Sequence, residues 1–175
     1  MEDFQNLDTV LHYRQSTREF SDEKVGSDQI SALIQAAEAS PIGCRNYKGY
    51  GILVIQDRQA LQQIAKAFAE KTGRPDPLYG AGLLFLIYVK EGAIADLERF
   101  DAGIIAENIH LKATSLKIGS LIIYSFIRAL LGDAAIWNQL GLPEHAKPLL
   151  SVAAGYRKKE WIKREIKPLI DVQIK

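Results

Sequence analysis

DAGIIAENIHLKATSLKIGS, residues 101–120, governs how the rest of the chain is read. Ala102, Ile105, Ile109 and Leu116 recur at helical spacing, which predicts a long helix over 97–117 with one buried face. Its length makes it the central helix. Gly119 suits the position just beyond a helix C-terminus, and 120–124 then reads as a strand leading into a short helix over 126–131.

Upstream, 83–89 is an unbroken apolar run and 51–55 a shorter one, both the pattern of buried strands. Between them Asp57 suits a helix N-cap; Leu61, Ile64, Ala65 and Phe68 make the inward face, and Gly73 ends the helix. Arg74-Pro75-Asp76-Pro77 must be a loop, because two prolines do not fit regular structure. An earlier helix has Ser27 as its N-cap and Ile30, Leu33, Ile34 and Ala37 inward, and it stops near Ser40 because Pro41 disfavours helical geometry before it. A first helix is expected over 4–13. Downstream, Asp133 caps a short helix that ends at Gly141, and 149–154 is a fourth strand. Helices mixed with four or five strands, with no strict alternation and no GxGxxG turn, make the class α+β and not a doubly wound dinucleotide fold.

The 175 residues, 47% hydrophobic and 25% charged, suit one domain spanning 1–175. A net charge of +1, from 22 basic and 21 acidic residues, supplies no field for nucleic acid or an anionic membrane. The N-terminal MEDFQNLDTV is unlike a signal peptide and no apolar run is long enough for a bilayer, so a soluble protein is expected. Cys44 stands alone, which excludes an intramolecular disulfide and suits the cytoplasm. His12, His110 and His145 are too scattered for a metal site, and none is predicted. Residues 156–175 hold seven Lys or Arg against three Asp or Glu, and they end with Ile170, Val172 and Ile174 in strand-like alternation. Such a strand needs an edge, and a second subunit would supply one.

The densest polar cluster is Arg14-Gln15-Ser16-Thr17-Arg18. Guanidinium forks and a hydroxyl are the donors a phosphate monoester needs. The same residues also suit a solvated helix end. Cys44 has no His near it in sequence and reads as a small packing residue; Asn108 reads as a structural polar group, and Trp137 and Trp161 as packing or interface residues.

The order of motifs along the chain resembles the nitroreductase family of FMN-dependent oxidoreductases. RQSTREF, residues 14–20, is similar to the family's opening Arg-x-Ser-x-Arg-x-Phe; QISALIQAAEASP, 29–41, is similar to the helix ahead of its flavin-contacting loop. Residues 101–120 resemble the family's central helix and following turn, and LLSVAAGY, 149–156, the strand that leads into a basic tail. The resemblance covers nearly all of the chain, which is short for the family.

The resemblance implies a nitroreductase-like α+β fold: a central mixed sheet of four to five strands flanked by helices, with the C-terminal strand, 156–175, crossing to a homodimer partner. It implies that Arg14, Gln15 and Ser16 bind the FMN phosphate, while Arg18 lies near the pyrimidine edge and stabilises negative charge there. Arg164, four residues before Pro168, matches a phosphate-binding position; Ile166 stands where the family has a second base, leaving Lys163 or Lys167 as substitutes. Pro41, Ile42, Gly43 and Asn46 fall in the flavin-proximal loop 41–47, which departs from the commonest family pattern, and Arg45 is an alternative to Asn46. Tyr124 and Ser125 match a turn whose backbone N–H faces the flavin N5 side, with Tyr124 bulky enough to narrow the pocket. The implied activity passes electrons from NADH or NADPH, through FMN, to a nitroaromatic, a quinone or a similar small acceptor. Two other readings stay open: a flavin-binding or redox-sensing module without turnover, and a structural α+β protein with surface arginines.

Overall fold

Asn6 starts the first helix by accepting the backbone N–H of Asp8 at 2.9 Å and of Thr9 at 3.2 Å, two donors that a helix N-terminus leaves unsatisfied. In the computed structural model, which describes residues 3–175, this helix, α1, runs Leu7–Tyr13. It begins three residues later than the sequence suggests, because Phe4 packs against Tyr13 and Trp161. Helix α2, Ser27–Glu38, is capped at Gly26, one residue before the expected Ser27, where Gln29 Oε1 accepts the Gly26 N–H at 3.2 Å. Then come β1, Tyr50–Ile55, and α3, Arg58–Thr72, with Asp57 accepting from Ala60 N at 2.8 Å and Gly73 closing the helix at φ 67°.

The remaining elements are β2, Leu83–Val89; α4, Glu98–Ser115; β3, Gly119–Ile123; α5, Ser125–Leu130; α6, Ala134–Gln139; and β4, Lys147–Gly155. Lys117, with φ 56°, takes the left-handed position after α4 that the sequence assigns to Gly119. Gly119 is needed for another reason. A Cβ there would lie 2.5 Å from Arg157 Cγ and 2.8 Å from Thr17 Oγ1, so only glycine admits both side chains.

The strands lie in the order β1-β2-β4-β3, and every ladder is antiparallel. This corrects the expected mixed sheet. Ile55, at the end of β1, pairs with Leu84 at the start of β2, so the proline-bearing 73–82 connection brings the chain back to the end where β1 finishes. Among the described residues the one parallel pairing is an isolated bridge, Ser16 to Ser120.

Both faces of the sheet are covered. Leu83, Phe85 and Ile87 of β2 face Leu33, Ala102, Ile105 and Ile109 of α2 and α4, while Leu84 and Leu86 face Ile64, Phe68 and Phe126 of α3 and α5. Two-sided burial explains why β2 reads as an unbroken apolar run. Small residues, Ala153 and Ala154, occupy the middle of the sheet on β4. Among the described residues no helix is long and apolar enough to cross a membrane. Residues beyond 157 form no strand in the chain, and Ile170, Val172 and Ile174 are 82%, 73% and 95% exposed.

Candidate functional site

Helix α1 stops at Arg14, whose backbone N–H closes the last turn on Val10 O at 2.7 Å. The chain then runs extended through the polar cluster. Ser16 bridges Ser120 at the start of β3, Thr17 N donates to Ser120 O at 2.9 Å, and Phe20 bridges Arg157 just past β4. The side chain of Arg14 turns inward to α4. Its Nη1 lies 3.0 Å from His110 Nε2, and its Nε is 3.9 Å from Glu107 Oε1.

The C-terminal segment returns to the same place. His12 Nδ1–H donates to Arg164 O at 2.9 Å, Arg164 N donates to His12 O at 3.0 Å, and Arg164 Nη2 donates to Leu11 O at 3.0 Å. Gln15 Nε2 donates to Ile162 O at 3.0 Å. Burial and the charge of Arg14 push the Arg164 guanidinium pKa down, with Glu107 opposing. The Glu107 carboxyl is pushed up by burial, against the pull of Arg14 and Arg164. Two guanidinium groups thus face one carboxylate.

Among the described residues, four buried polar atoms near this cluster have no hydrogen-bond partner: Thr17 Oγ1, Arg157 Nε and Nη1, and Arg164 Nε. A buried donor without an acceptor costs on the order of 1–3 kcal/mol, so the arrangement suits a ligand rich in acceptor oxygens. Thr17 and Arg157, with Gln15, Ser16, Arg18, Glu19 and Lys159, line a cavity of about 180 Å³, where the Glu19 carboxylate is paired with Lys159 Nζ at 2.6 Å. The donor set therefore fits a phosphate.

The 41–47 loop singled out from sequence lies toward the start of α4. At a rise of about 1.5 Å per residue, Asp101 is roughly 14 Å from His110 along the helix. Loop 41–47 is tied toward the Asp101 end: Gly43 N donates to Asp101 Oδ1 at 3.1 Å and Tyr50 OH to Asp101 Oδ2 at 2.7 Å. Burial and that carboxylate push the Tyr50 phenol up. Gly43 meets Leu97, not open space; Ile42 is in the core, and Asn46 Nδ2 donates to Gly92 O at 2.9 Å. Pro41, Cys44, Arg45 and Tyr47 are exposed. Asn108 has the structural role expected of it, donating to Ser40 Oγ at 2.9 Å. Tyr124 lines a separate cavity of about 300 Å³ with Arg99, Ala102, Leu131 and Lys147, and Ser125 opens α5 beside it. Arg18 is exposed, its guanidinium carbon 6.0 Å from the Tyr79 ring centre. Lys163 is exposed and Lys167 pairs with Glu165 at 3.3 Å.

A family model for the nitroreductase family matches residues 11–77 and 69–156. The chain belongs to the nitroreductase family. This nitroreductase-family chain is 28% identical over 152 residues to an Archaeoglobus fulgidus protein named "Putative NADH dehydrogenase/NAD(P)H nitroreductase", covering 86% of this chain and 85% of that one. Its fold is that of a Bacteroides fragilis nitroreductase with bound FMN, at TM-score 0.83 and 21% identity over 97% of this chain and 98% of the other. A Desulfitobacterium hafniense nitroreductase with bound FMN matches at TM-score 0.80 and 21% identity, over 99% of this chain and 100% of the other. Membership makes the protein an oxidoreductase.

His110 and Arg157 are not legible from sequence as site residues, and Thr17 stands there only as a member of the 14–18 cluster. Glu107 and His110 are three apart on one helix face, but only the fold reveals that Arg14 meets that face. His110 is 1% exposed, and its imidazole pKa falls from 6.5 to about 4, mainly through burial and then through Arg14 and Arg164. The unfolded ring takes a proton below 6.5 and the native ring only near 4, so its contribution to stability is complete above 6.5 and lost as pH falls toward 4. From about pH 7 to pH 5 this group alone is expected to remove about 2 kcal/mol. Urea unfolding at both pH values checks this: His110→Gln should lose that much less than the unaltered chain, and equal losses would overturn it.

Proposed function

We propose that this nitroreductase-family protein is an FMN-dependent oxidoreductase that works as a homodimer, taking electrons from NADH or NADPH and passing them to a nitroaromatic, quinone or similar small acceptor. What supports FMN most is the convergence of Arg14 and Arg164, from opposite ends of the sequence, beside buried donors that lack acceptors. When bound, FMN supplies the two-electron chemistry.

The chain's own residues bind and orient. Arg14 and Ser16 hold the phosphate with Gln15 alongside, and Arg164, with Lys163 or Lys167, closes the second flank. Arg18 presents positive charge to the pyrimidine edge. The Tyr124–Ser125 backbone borders the N5 side, and Tyr124 narrows the approach of an acceptor. Pro41, Ile42, Gly43 and Asn46 belong to a loop whose polar groups are bonded to α4 and the β2–α4 connection. Its exposed ridge borders the flavin site of a second copy. The domain spans 1–175, and 156–175 crosses to the partner, where Ile170, Val172 and Ile174 find the cover they lack within one chain. An exposed lone thiol, Cys44, suits a reducing cytoplasm.

The test uses purified protein. Expected are a dimer mass, a flavin absorption spectrum whose extracted chromophore is FMN, bleaching by NADH or NADPH, and sustained nicotinamide oxidation with menadione or a nitroaromatic. Bound FMN that neither nicotinamide reduces would remove the enzyme reading. A colourless monomer that does not take up added FMN would remove the cofactor as well.

A further inference from the structure

Arg14 is not held by charge alone. Arginine has only donors, so the 3.0 Å contact from Nη1 makes His110 Nε2 the acceptor. The other ring nitrogen then carries the proton, and Nδ1–H donates to Ser120 Oγ at 2.5 Å. The backbone of Ser120 meanwhile bridges Ser16 and accepts Thr17 N–H. Ser120 thus carries both arms of the cluster: Ser16 through the backbone and Arg14 through the imidazole.

We propose that His110 is a positioning residue for phosphate binding, a neutral acceptor keyed by Ser120 that fixes the Arg14 fork so that Nη2 and the second Nη1 proton face the ligand. This rests on the FMN reading above. The charged groups around the ring are Arg14 from the end of α1, Arg164 from the C-terminal segment and Glu107 from α4 itself. A neutral ring neutralises neither arginine and adds no charge that would compete with the ligand. It removes the freedom of a long side chain before binding, which is where preorganisation gains affinity. A protonated ring would set N–H against N–H and release the fork.

The phosphate distinguishes this role from a merely structural one, because riboflavin is FMN without it. After flavin removal, the dissociation constants of FMN and riboflavin are measured for the unaltered chain, His110→Phe, His110→Gln and Ser120→Ala. His110→Phe keeps a ring but no acceptor, and it is expected to weaken FMN by about tenfold to a hundredfold while riboflavin changes less than about twofold. His110→Gln, which restores an acceptor oxygen, should recover most of that loss. Ser120→Ala leaves the ring in place without its key and should weaken FMN alone by about threefold to tenfold; it carries the test should His110→Phe not fold. An unchanged ratio of FMN to riboflavin affinity in these variants, or equal losses of both flavins, overturns the role of His110. Failure of the unaltered chain to bind FMN overturns the cofactor reading instead.

Discussion

Arg14→Ala is expected to weaken FMN binding by at least about a hundredfold, because the bidentate, charge-assisted contact to phosphate proposed for its guanidinium would be lost whole. Riboflavin affinity should stay nearly unchanged, since the loss is confined to the phosphate. Arg14→Lys should fall between, keeping charge but not the planar fork, and Ser16→Ala should cost about tenfold for one hydroxyl contact. Fluorescence titration of the flavin-free protein measures all of these. FMN binding that survives Arg14→Ala intact would remove Arg14 from the site. A modest stability loss accompanies the change, because Glu107 and His110 Nε2 lose their partner.

Phe126→Ala should carry the largest stability cost, about 3–5 kcal/mol. Phe126 is fully buried at the start of α5, and its ring centre lies 6.4 Å from that of Trp137 in α6. Each of these helices has six residues, too few to persist without packing. Phe126, Ile127, Leu130 and Trp137 fasten them to α3 and the sheet, and Trp137 Nε1 donates to Leu130 O at 2.9 Å. Removing the ring leaves a cavity between α3, α5 and the sheet. The melting temperature should drop by roughly 10 °C, with amide exchange accelerating first across 124–140. A loss below about 1 kcal/mol would mean that this layer lies outside the cooperative core.

The elements that the sequence revealed best are those whose reason is local. Asp57 before α3, Gly73 after it, Asp133 before α6 and the apolar run of β2 carry their signal in adjacent residues, and each stands where expected. The expectations for Ser27 and Gly119 differ from the structure for two separate reasons, one local and one not. Gly26 caps α2 through Gln29, and Gly119 answers to Thr17 and Arg157, which approach from distant parts of the chain. The expectation of a mixed sheet failed because strand direction depends on which end a connection returns to, and the length of 73–82 alone does not state it.

The polar cluster at 14–18 shows the same division. By itself the sequence determined the α+β class, the four strands of the sheet and the six α-helices, the nitroreductase resemblance and the Arg-x-Ser-x-Arg run, because periodicity, capping and motif order are properties of neighbouring residues. Only the tertiary structure decided that Arg164 bonds to His12 and Leu11 at the end of α1, that Arg14 meets His110 and His110 meets Ser120, and that loop 41–47 is tied toward the far end of α4. Those contacts join residues up to 153 apart, Leu11 to Arg164, where α1 packs on α4 and the tail returns to α1. No local pattern encodes such a meeting, because it is created when burial of the two sheet faces brings the chain's ends together.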